Sequence, residues 1–256
     1  METVIQARGL CKTYIVNKRQ NNVLKNIDIT IYKGEMVAVM GPSGSGKSTL
    51  LYCISSMDRV TSGEVLFCGT DLSKLDEKEL SRMRLEEMGF IFQQMYMMKN
   101  LSLIDNILFP AMKSKKTNET RRQKEERARD LMRRLGIEDV GGNDINEVSG
   151  GQLQRACICR SMINEPKMLF ADEPTGALNR ASSDEVMREL LSLNNDGTTI
   201  MCVTHDPKVA AKCSRILYLV DGTIVGEKAP GHFSGTDADL RSRERDLSNW
   251  LMEHGW

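Results

Sequence analysis

A glycine-rich segment near the start of the chain has the residue types that bind phosphate. Residues 41 to 48 read Gly-Pro-Ser-Gly-Ser-Gly-Lys-Ser and fit the P-loop pattern G-x-x-x-x-G-K-[ST]. Glycines let backbone N–H groups turn inward around phosphate oxygens, and the predicted helix that follows adds the positive end of its dipole. Lys47 is placed to neutralise the β- and γ-phosphates, and the Ser48 hydroxyl is placed to hold Mg²⁺. The candidate residues for binding a nucleoside triphosphate are Gly41, Pro42, Ser43, Gly44, Ser45, Gly46, Lys47, Ser48 and Thr49.

Two adjacent acids follow an apolar run further along the chain. Met168 to Ala171 reads as a buried strand, and Asp172 and Glu173 come directly after it. The carboxyl ends of strands are where ligands bind in open α/β sheets. Asp172 suits the Mg²⁺ shell, and Glu173 can take a proton from an attacking water as the general base. Downstream of a P-loop, this pair predicts a hydrolytic site.

A second glycine-rich helix start carries the family resemblance. Residues 148 to 152, Val-Ser-Gly-Gly-Gln, continue through Gln-Arg-Ala at 154 to 156 and resemble the ABC signature, usually written L-S-G-G-Q. A single P-loop needs only one anion cradle. The chain resembles the ATP-binding subunits of ABC transporters over about residues 3 to 228. In that family the second cradle serves the ATP on the opposite subunit, which implies two copies joined head to tail around two ATP molecules. The matching positions are Ser149, Gly150, Gly151 and Gln152.

The resemblance assigns roles to three further residues. Tyr14 resembles the aromatic residue that stacks on adenine. Gln93, in Phe-Ile-Phe-Gln, resembles the glutamine that contacts Mg²⁺ and water and senses the membrane subunit. His205, in Val-Thr-His-Asp, resembles the switch histidine at the γ-phosphate. The implied catalytic residues are Glu173, His205 and Gln93, and the implied Mg²⁺ ligands are Ser48, Gln93 and Asp172.

Two segments point to a subgroup of the family. Phe90-Ile-Phe-Gln-Gln and residues 170 to 178 resemble the subunits of macrolide, lipoprotein-release and antimicrobial-peptide (bacitracin-type) transporters. Their membrane partner is a separate permease, so the resemblance implies a cytoplasmic chain held at the inner face of the cell membrane. Three positions depart from the usual pattern: Val148 for Leu, Asp144-Ile145 for Tyr-Pro, and Asn179 for Asp in a loop that reaches across the dimer.

Bulk composition narrows the classes of partner. The 256 residues carry 35 basic and 35 acidic side chains, whereas nucleic-acid binding normally leaves a basic surplus, so we expect no nucleic-acid partner. No apolar run approaches the ~18 residues that span a bilayer, and the acidic Glu2 argues against a secretory signal. The seven scattered cysteines fit free thiols in a reducing compartment.

Alternating strand and helix patterns after residue 155 predict an α/β fold. We expect a P-loop NTPase core with a mostly parallel sheet, an antiparallel β layer from residues 1 to 35 and 60 to 70, and a helical subdomain at about 94 to 163. The predicted core elements are strands at 36–40, 168–171, 199–203 and 216–220, and helices at 47–56, 182–193 and 207–213. The ATP-binding domain would cover residues 1–228, and the tail 229–256 could hold an amphipathic helix that places Leu240, Leu247, Trp250 and Leu251 on one face.

Two functional alternatives stay open at this level. A scaffold-type ABC subunit would regulate a cell-envelope complex without moving a solute. A non-transport ABC ATPase acting on DNA or ribosomes is disfavoured, because the chain has one copy of each motif and no heptad run. The segment from Gln94 to Met98, with Leu101 and Leu103, could form a groove for a permease helix or belong to the chain's own core.

Overall fold

In the computed structural model, which describes residues 2–256, the chain divides into two units. The first unit comprises Met1–Asp76 and Gly197–Trp256, and the second comprises Glu77–Asp196. The strands are β1 Thr3–Val16, β2 Arg19–Tyr32, β3 Met36–Met40, β4 Ser62–Phe67, β5 Thr70–Asp71, β6 Met88–Phe92, β7 Met168–Asp172, β8 Thr199–Val203, β9 Arg215–Val220 and β10 Thr223–Lys228. The α-helices are α1 Lys47–Ile54, α2 Glu77–Glu87, α3 Leu103–Lys113, α4 Arg121–Arg134, α5 Gly150–Met162, α6 Arg180–Asn195, α7 Pro207–Ala210 and α8 Asp237–Glu253.

The first unit contains an antiparallel sheet in the order β2-β1-β4-β5. The two long strands β1 and β2 form a hairpin whose turn residues, Asn17 and Lys18, both have positive φ (51° and 63°). Two such residues give the turn whose twist matches that of the flanking strands. Ile5 and Ala7, two residues apart on β1, are buried, and Leu10 is buried after a register shift in the pairing between Ala7 and Leu10. The predicted antiparallel layer is confirmed.

The same unit holds a parallel core around β3. This strand pairs in parallel with β8 and with β9, and β10 adds an antiparallel edge to β9. All five residues of β3 and of β8 are buried. Burial on both faces explains why these strands are continuous apolar runs in the sequence. The predicted α/β core is confirmed, and β3 leads directly into the glycine-rich segment and α1.

The second unit builds helices around a parallel pair of strands. β6 pairs with β7, with Phe92 opposite Asp172 at their carboxyl ends. Helix α5 packs against α3, α4, α6 and β6. Helices α3 to α5 occupy residues 103 to 162, inside the range predicted for the helical subdomain, while the unit itself runs from Glu77 to Asp196.

The C-terminal segment of the first unit forms helix α8. Leu247 and Leu251 are each 1% exposed and bury one face of this helix. Beyond them, the rings of Trp250, His254 and Trp256 pack around Tyr218 of β9, with ring centroids about 6 Å apart. Aromatic pairs at this separation are favourable. The helix is an integral part of the packing of this unit.

Helix α7 ends at Ala210, three residues before its predicted end at Cys213. The Ser214 amide donates a hydrogen bond to the Met36 carbonyl, so the chain must already turn here to enter β9. Across residues 2–256, no helix combines the length and apolar character needed to cross a membrane.

Candidate nucleotide-binding site

The glycine-rich segment adopts a conformation that its glycines make accessible. Gly46 is the residue before α1 and has φ 104°, a left-handed conformation that side chains disfavour. A Cβ at Gly46 would also lie 3.0 Å from Leu24 and 3.1 Å from the Val23 carbonyl oxygen of β2. At Gly41 a Cβ would collide with the Leu219 carbonyl oxygen of β9. Since Gly46 has no side chain to cap α1, the first N–H groups of this helix can serve an anion.

Charged and polar groups of the same segment complete a phosphate cradle. Lys47 Nζ donates hydrogen bonds to the carbonyl oxygens of Gly41 at 2.8 Å and Pro42 at 2.9 Å, which holds its charge inside the loop. The Ser45 hydroxyl is buried and has no hydrogen-bond partner within residues 2–256. A buried donor of this kind is costly unless a ligand satisfies it. The residues present therefore fit the phosphates of ATP.

His205 lies at the same edge of the parallel sheet as the phosphate cradle. Val39 of β3 is opposite Val203 of β8, and the Thr204 amide donates a hydrogen bond to the Val39 carbonyl. The chain leaves β8 two residues before His205, whose side chain is exposed. Both the glycine-rich segment and His205 thus follow neighbouring parallel strands at their carboxyl ends, where open sheets bind ligands.

Tyr14 lies near the end of β1 and is tied to the region around α1. Its hydroxyl donates a hydrogen bond of 2.6 Å to an Asp58 carboxylate oxygen. Burial, the Asp58 hydrogen bond and the Asp58 charge raise the pKa of Tyr14 to about 12. The phenol therefore stays neutral and remains a donor to Asp58 at physiological pH.

In the second unit, Asp172 is the last residue of the buried strand β7, and Glu173 follows it. Asp172 is 7% exposed at the end of the strand. Glu173 has φ 48°, which is uncommon for a residue with a side chain, and its carbonyl accepts a hydrogen bond from the Gly176 amide at 3.0 Å. Buried Gln154 of α5 donates to the Pro174 carbonyl at 2.8 Å. A tight, supported turn thus sets the position of the Glu173 carboxylate, and such conformations concentrate at functional sites.

Gln93 lies beside this turn. It follows Phe92 of β6 just as Glu173 follows Asp172 of the paired strand β7. A Cβ at Gly176 would lie 3.1 Å from Gln93 Nε2, so the glutamine side chain packs against the turn itself. The structure therefore brings together the predicted residues Gln93, Asp172 and Glu173 within the second unit.

The segment resembling the family signature begins helix α5 with a reciprocal cap. The Ser149 hydroxyl accepts from the Gln152 amide at 3.3 Å, and the Gln152 side chain accepts from the Ser149 amide at 2.9 Å. Gly150 is exposed and Gly151 is buried against Ser182 of α6. This arrangement is the capping box, which fixes the first turn of a helix. The exposed helix start is a second place where N–H groups can bind an anion.

Asn179 also caps a helix. Its side-chain oxygen accepts a hydrogen bond from the Ser182 amide at 3.0 Å and starts α6. Asparagine is one of the preferred residues at this position, as is the aspartate that the family usually has. The Asn179 side chain therefore fulfils the helix-capping role that an aspartate would have at this position.

Sequence patterns alone did not identify several residues that hold the site. They are Lys12 and Asp58 beside Tyr14, Gln154 under the Glu173 turn, and Asn106 and Arg160, which bind the backbone of residues 95 to 102. Lys12, Gln154 and Arg160 reach partners 20 to 65 positions away, so no local spacing reveals them. Asn106 reaches back only 4 to 8 positions, to backbone groups that the sequence pattern does not mark.

The chain is similar to proteins of known family over most of its length. Residues 24–176 match the family model described as ABC transporter. The macrolide export ATP-binding/permease protein MacB of Rhodopseudomonas palustris (strain BisB18) is 43% identical over 253 residues, which are 97% of this chain and 38% of that protein. The uncharacterized ABC transporter ATP-binding protein YknY of Bacillus subtilis (strain 168) is 42% identical over 222 residues, which are 87% of this chain and 95% of that protein. The chain thus spans 38% of the length of the MacB relative.

Solved structures show the same fold. The dimeric structure of a post-hydrolysis state of the ATP-binding cassette MJ0796, bound to ADP and Pi, matches with a TM-score of 0.83 at 35% identity over 90% of this chain and 100% of that chain. A second dimeric structure of MJ0796, described as a bacterial ABC transporter cassette, matches equally well, with a TM-score of 0.83 at 36% identity. Because the family model covers more than half of the chain and the relatives agree with it, this chain belongs to the ABC transporter family and is one of its ATP-hydrolysing cassettes.

Proposed function

We propose that two copies of this chain close head to tail on two ATP molecules and power a separate membrane permease. The observation that carries this proposal is the presence of two helix starts suited to anions, the glycine-rich start of α1 and the capped start of α5. One nucleotide needs only the first of them within a chain. The dimeric structures of MJ0796 support an assembly of two cassettes.

Each site residue has a proposed role in this cycle. The amides at residues 41 to 49 and the Lys47 ammonium bind the phosphates, and Tyr14 stacks on adenine. Ser48, Gln93 and Asp172 would hold Mg²⁺, which would supply positive charge beside the phosphates. Glu173 takes the proton of the attacking water, and His205 contacts the γ-phosphate. Ser149, Gly150, Gly151 and Gln152 bind the ATP held by the other copy.

The proposed cargo is an antibiotic or an antimicrobial peptide, in resistance or export. The MacB relatives are named as macrolide export proteins that combine ATP-binding and permease parts. This chain aligns with 38% of such a protein, and we propose a membrane permease as its partner. Binding that permease would place the cassette on the inner face of the cell membrane.

We place the permease-binding surface at residues 94 to 98 of the second unit. Tyr96 is 65% exposed, and Met97 and Met98 are half-buried. Arg160 donates to the backbone carbonyls of Met95 and Tyr96, and buried Asn106 binds both backbone groups of Met98. A rigid backbone that displays adaptable methionine side chains suits a binding surface. Leu103 is fully buried and belongs to the core of the unit instead.

ATP binding and hydrolysis by purified variants test this assignment. Glu173→Gln removes the base but leaves the phosphate cradle, so we expect ATP affinity near that of the wild type and turnover lower by about 10²- to 10⁴-fold. Lys47→Ala should weaken ATP binding itself. Binding is measured with ATP in the absence of Mg²⁺, and turnover by phosphate release with Mg²⁺. A Glu173→Gln variant that hydrolyses ATP at the wild-type rate would remove Glu173 from the mechanism.

A further inference from the structure

A buried lysine, an aspartate and Tyr14 form one bonded cluster in the first unit. Lys12 Nζ donates to an Asp58 carboxylate oxygen at 2.6 Å and to the Arg59 carbonyl at 2.7 Å. The second oxygen of Asp58 accepts from the Tyr14 hydroxyl at 2.6 Å. The Lys12 side chain is 9% exposed. Asp58 therefore joins a nearly buried ammonium and a phenol, using a different oxygen for each.

The lysine also fixes the plane of the tyrosine ring. Lys12 and Tyr14 are two residues apart on β1, so their side chains stand on one face of the strand. The Lys12 ammonium lies over the ring of Tyr14, 4.7 Å from its centroid, within the range of a cation–π contact. One face of the ring is covered by this cation, so a flat ligand would have to stack on the opposite face.

The cluster is linked directly to the phosphate-binding helix. Asp58 follows the C-terminal end of α1, and its amide donates to the Tyr52 carbonyl of that helix at 3.0 Å. The orientation of the Tyr14 ring is thus fixed relative to the helix that is proposed to bind the nucleotide phosphates.

If Lys12 and Asp58 formed a purely structural ion pair, the contacts of both residues with Tyr14 would not be needed. Lys12 buried near a sheet needs an acidic partner wherever it lies, and one oxygen of Asp58 meets that need. The second oxygen and the stacked ammonium both act on Tyr14, and each restricts a different rotation of its side chain. Because two separate contacts restrict the same side chain, we infer that the cluster serves to hold the Tyr14 ring in place.

We propose that Asp58 and Lys12 are positioning residues that fix the Tyr14 ring before ATP arrives. The adenine then stacks on a ring that is already ordered, so ATP binding does not include the entropic cost of ordering that ring. This inference rests on the proposed role of Tyr14 in stacking on adenine. It extends that role to two residues that do not touch the nucleotide.

Comparing the affinities for ATP and for inorganic tripolyphosphate separates the contribution of the adenine base to binding from that of the phosphates. Tyr14→Phe keeps the ring but loses the bond to Asp58, and Asp58→Asn removes the charge beside Lys12. For both variants we expect the ATP dissociation constant to rise about two- to tenfold, with tripolyphosphate affinity unchanged, since tripolyphosphate has no base. In ATP hydrolysis, KM should rise and kcat stay constant. Because these changes act through one ring, the double variant should be little weaker than either single variant.

Two further variants distinguish a failure of the proposed stacking role of Tyr14 from a failure of the positioning role of Asp58 and Lys12. Tyr14→Ala removes the stack itself and should weaken ATP binding by at least about fivefold. Lys33→Met breaks an exposed ion pair with Glu2 in the same unit and should change neither ligand's affinity. Thermal melting of each variant verifies that it is folded.

Each contrary result has its own meaning. If Tyr14→Ala binds ATP as the wild type does, the proposed role of Tyr14 fails, and this inference fails with it. If Tyr14→Ala is weak but Tyr14→Phe and Asp58→Asn match the wild type, the stack stands and the positioning role is overturned. If ATP and tripolyphosphate weaken equally in Asp58→Asn and Tyr14→Phe, the cluster supports α1 rather than the ring, which also overturns it.

Discussion

At the scale of single residues, Asn179 caps a helix but lacks the charge of the aspartate that the family usually has here. Its oxygen caps α6 through the Ser182 amide. The family usually has an aspartate here, in a loop that reaches toward the other copy. The amide keeps the cap but lacks the charge that could attract basic groups across the dimer.

We expect Asn179→Asp to raise both stability and turnover. A carboxylate at the start of α6 interacts with the helix dipole and should stabilise the fold by about 0.3–1 kcal/mol. ATP turnover by the isolated chain should rise a few-fold at unchanged nucleotide affinity, because one exposed charge contact is worth about 1 kcal/mol or less. Urea unfolding and phosphate release measure the two effects. Higher stability with equal turnover would leave Asn179 with its capping role alone.

The cysteines offer a second residue-scale prediction. All seven are free thiols, and five are buried. Burial raises the pKa of Cys53, Cys159 and Cys213 to about 12 and that of Cys157 to about 11. At pH 8 these thiols are neutral, and only the thiolate is a strong nucleophile. Titration of the folded chain with a thiol reagent should therefore show fast reaction at Cys11 and Cys68 only, and reaction at all seven in denaturant. Rapid reaction of more than two native thiols would contradict the packing described.

Most of the residues proposed to carry chemistry were identified from local sequence patterns, since phosphate-binding and acidic motifs occupy neighbouring positions. The glycine-rich segment, the acids after β7 and the capped start of α5 each occupy a few consecutive positions. The residues that support them could not be predicted in this way. Asp58 reaches Tyr14 across 44 positions of the chain, and only the pairing of strands and helices brings the two together.

At the scale of secondary-structure elements, the strands that are buried along their whole length are the easiest to predict from the sequence. β3, β7 and β8 are buried along their whole length and are continuous apolar runs in the sequence. β10 is half exposed and pairs with β9 at the edge of the sheet, so its composition gives a weak signal. The early end of α7 is set by the pairing of β9 with β3, a tertiary constraint that local pattern does not contain.

Helix α8 carries a prediction about stability. Leu247 is 1% exposed against the first unit, while Met252 on the same helix is 69% exposed. Leu247→Ala should lower the free energy of unfolding by about 2–5 kcal/mol, because it leaves a cavity under the helix. Met252→Ala, the matched control, should change it by less than about 0.5 kcal/mol. Urea denaturation gives both values. Similar values for the two variants would mean that α8 does not form part of the core.

At the scale of the whole molecule, the proposed cycle requires two copies. The phosphate cradle at α1 belongs to the first unit, and the capped start of α5 belongs to the second. In the proposed dimer each ATP is held by the α1 cradle of one copy and the α5 start of the other. ATP is then the bridge between the copies, and its hydrolysis releases them.

The mass of the Glu173→Gln variant in solution, measured by light scattering during gel filtration, tests this claim most directly. Since we expect the variant to bind ATP and to cleave it at least about 10²-fold more slowly, we predict a dimer of two 28.8 kDa chains with ATP and a monomer with ADP. Adding Ser149→Arg, which blocks the exposed helix start without touching the phosphate cradle, should abolish the dimer and leave ATP binding by the monomer intact. A variant that binds ATP at saturating concentration yet stays monomeric would contradict the account, as would a dimer whose mass is the same with ATP and with ADP.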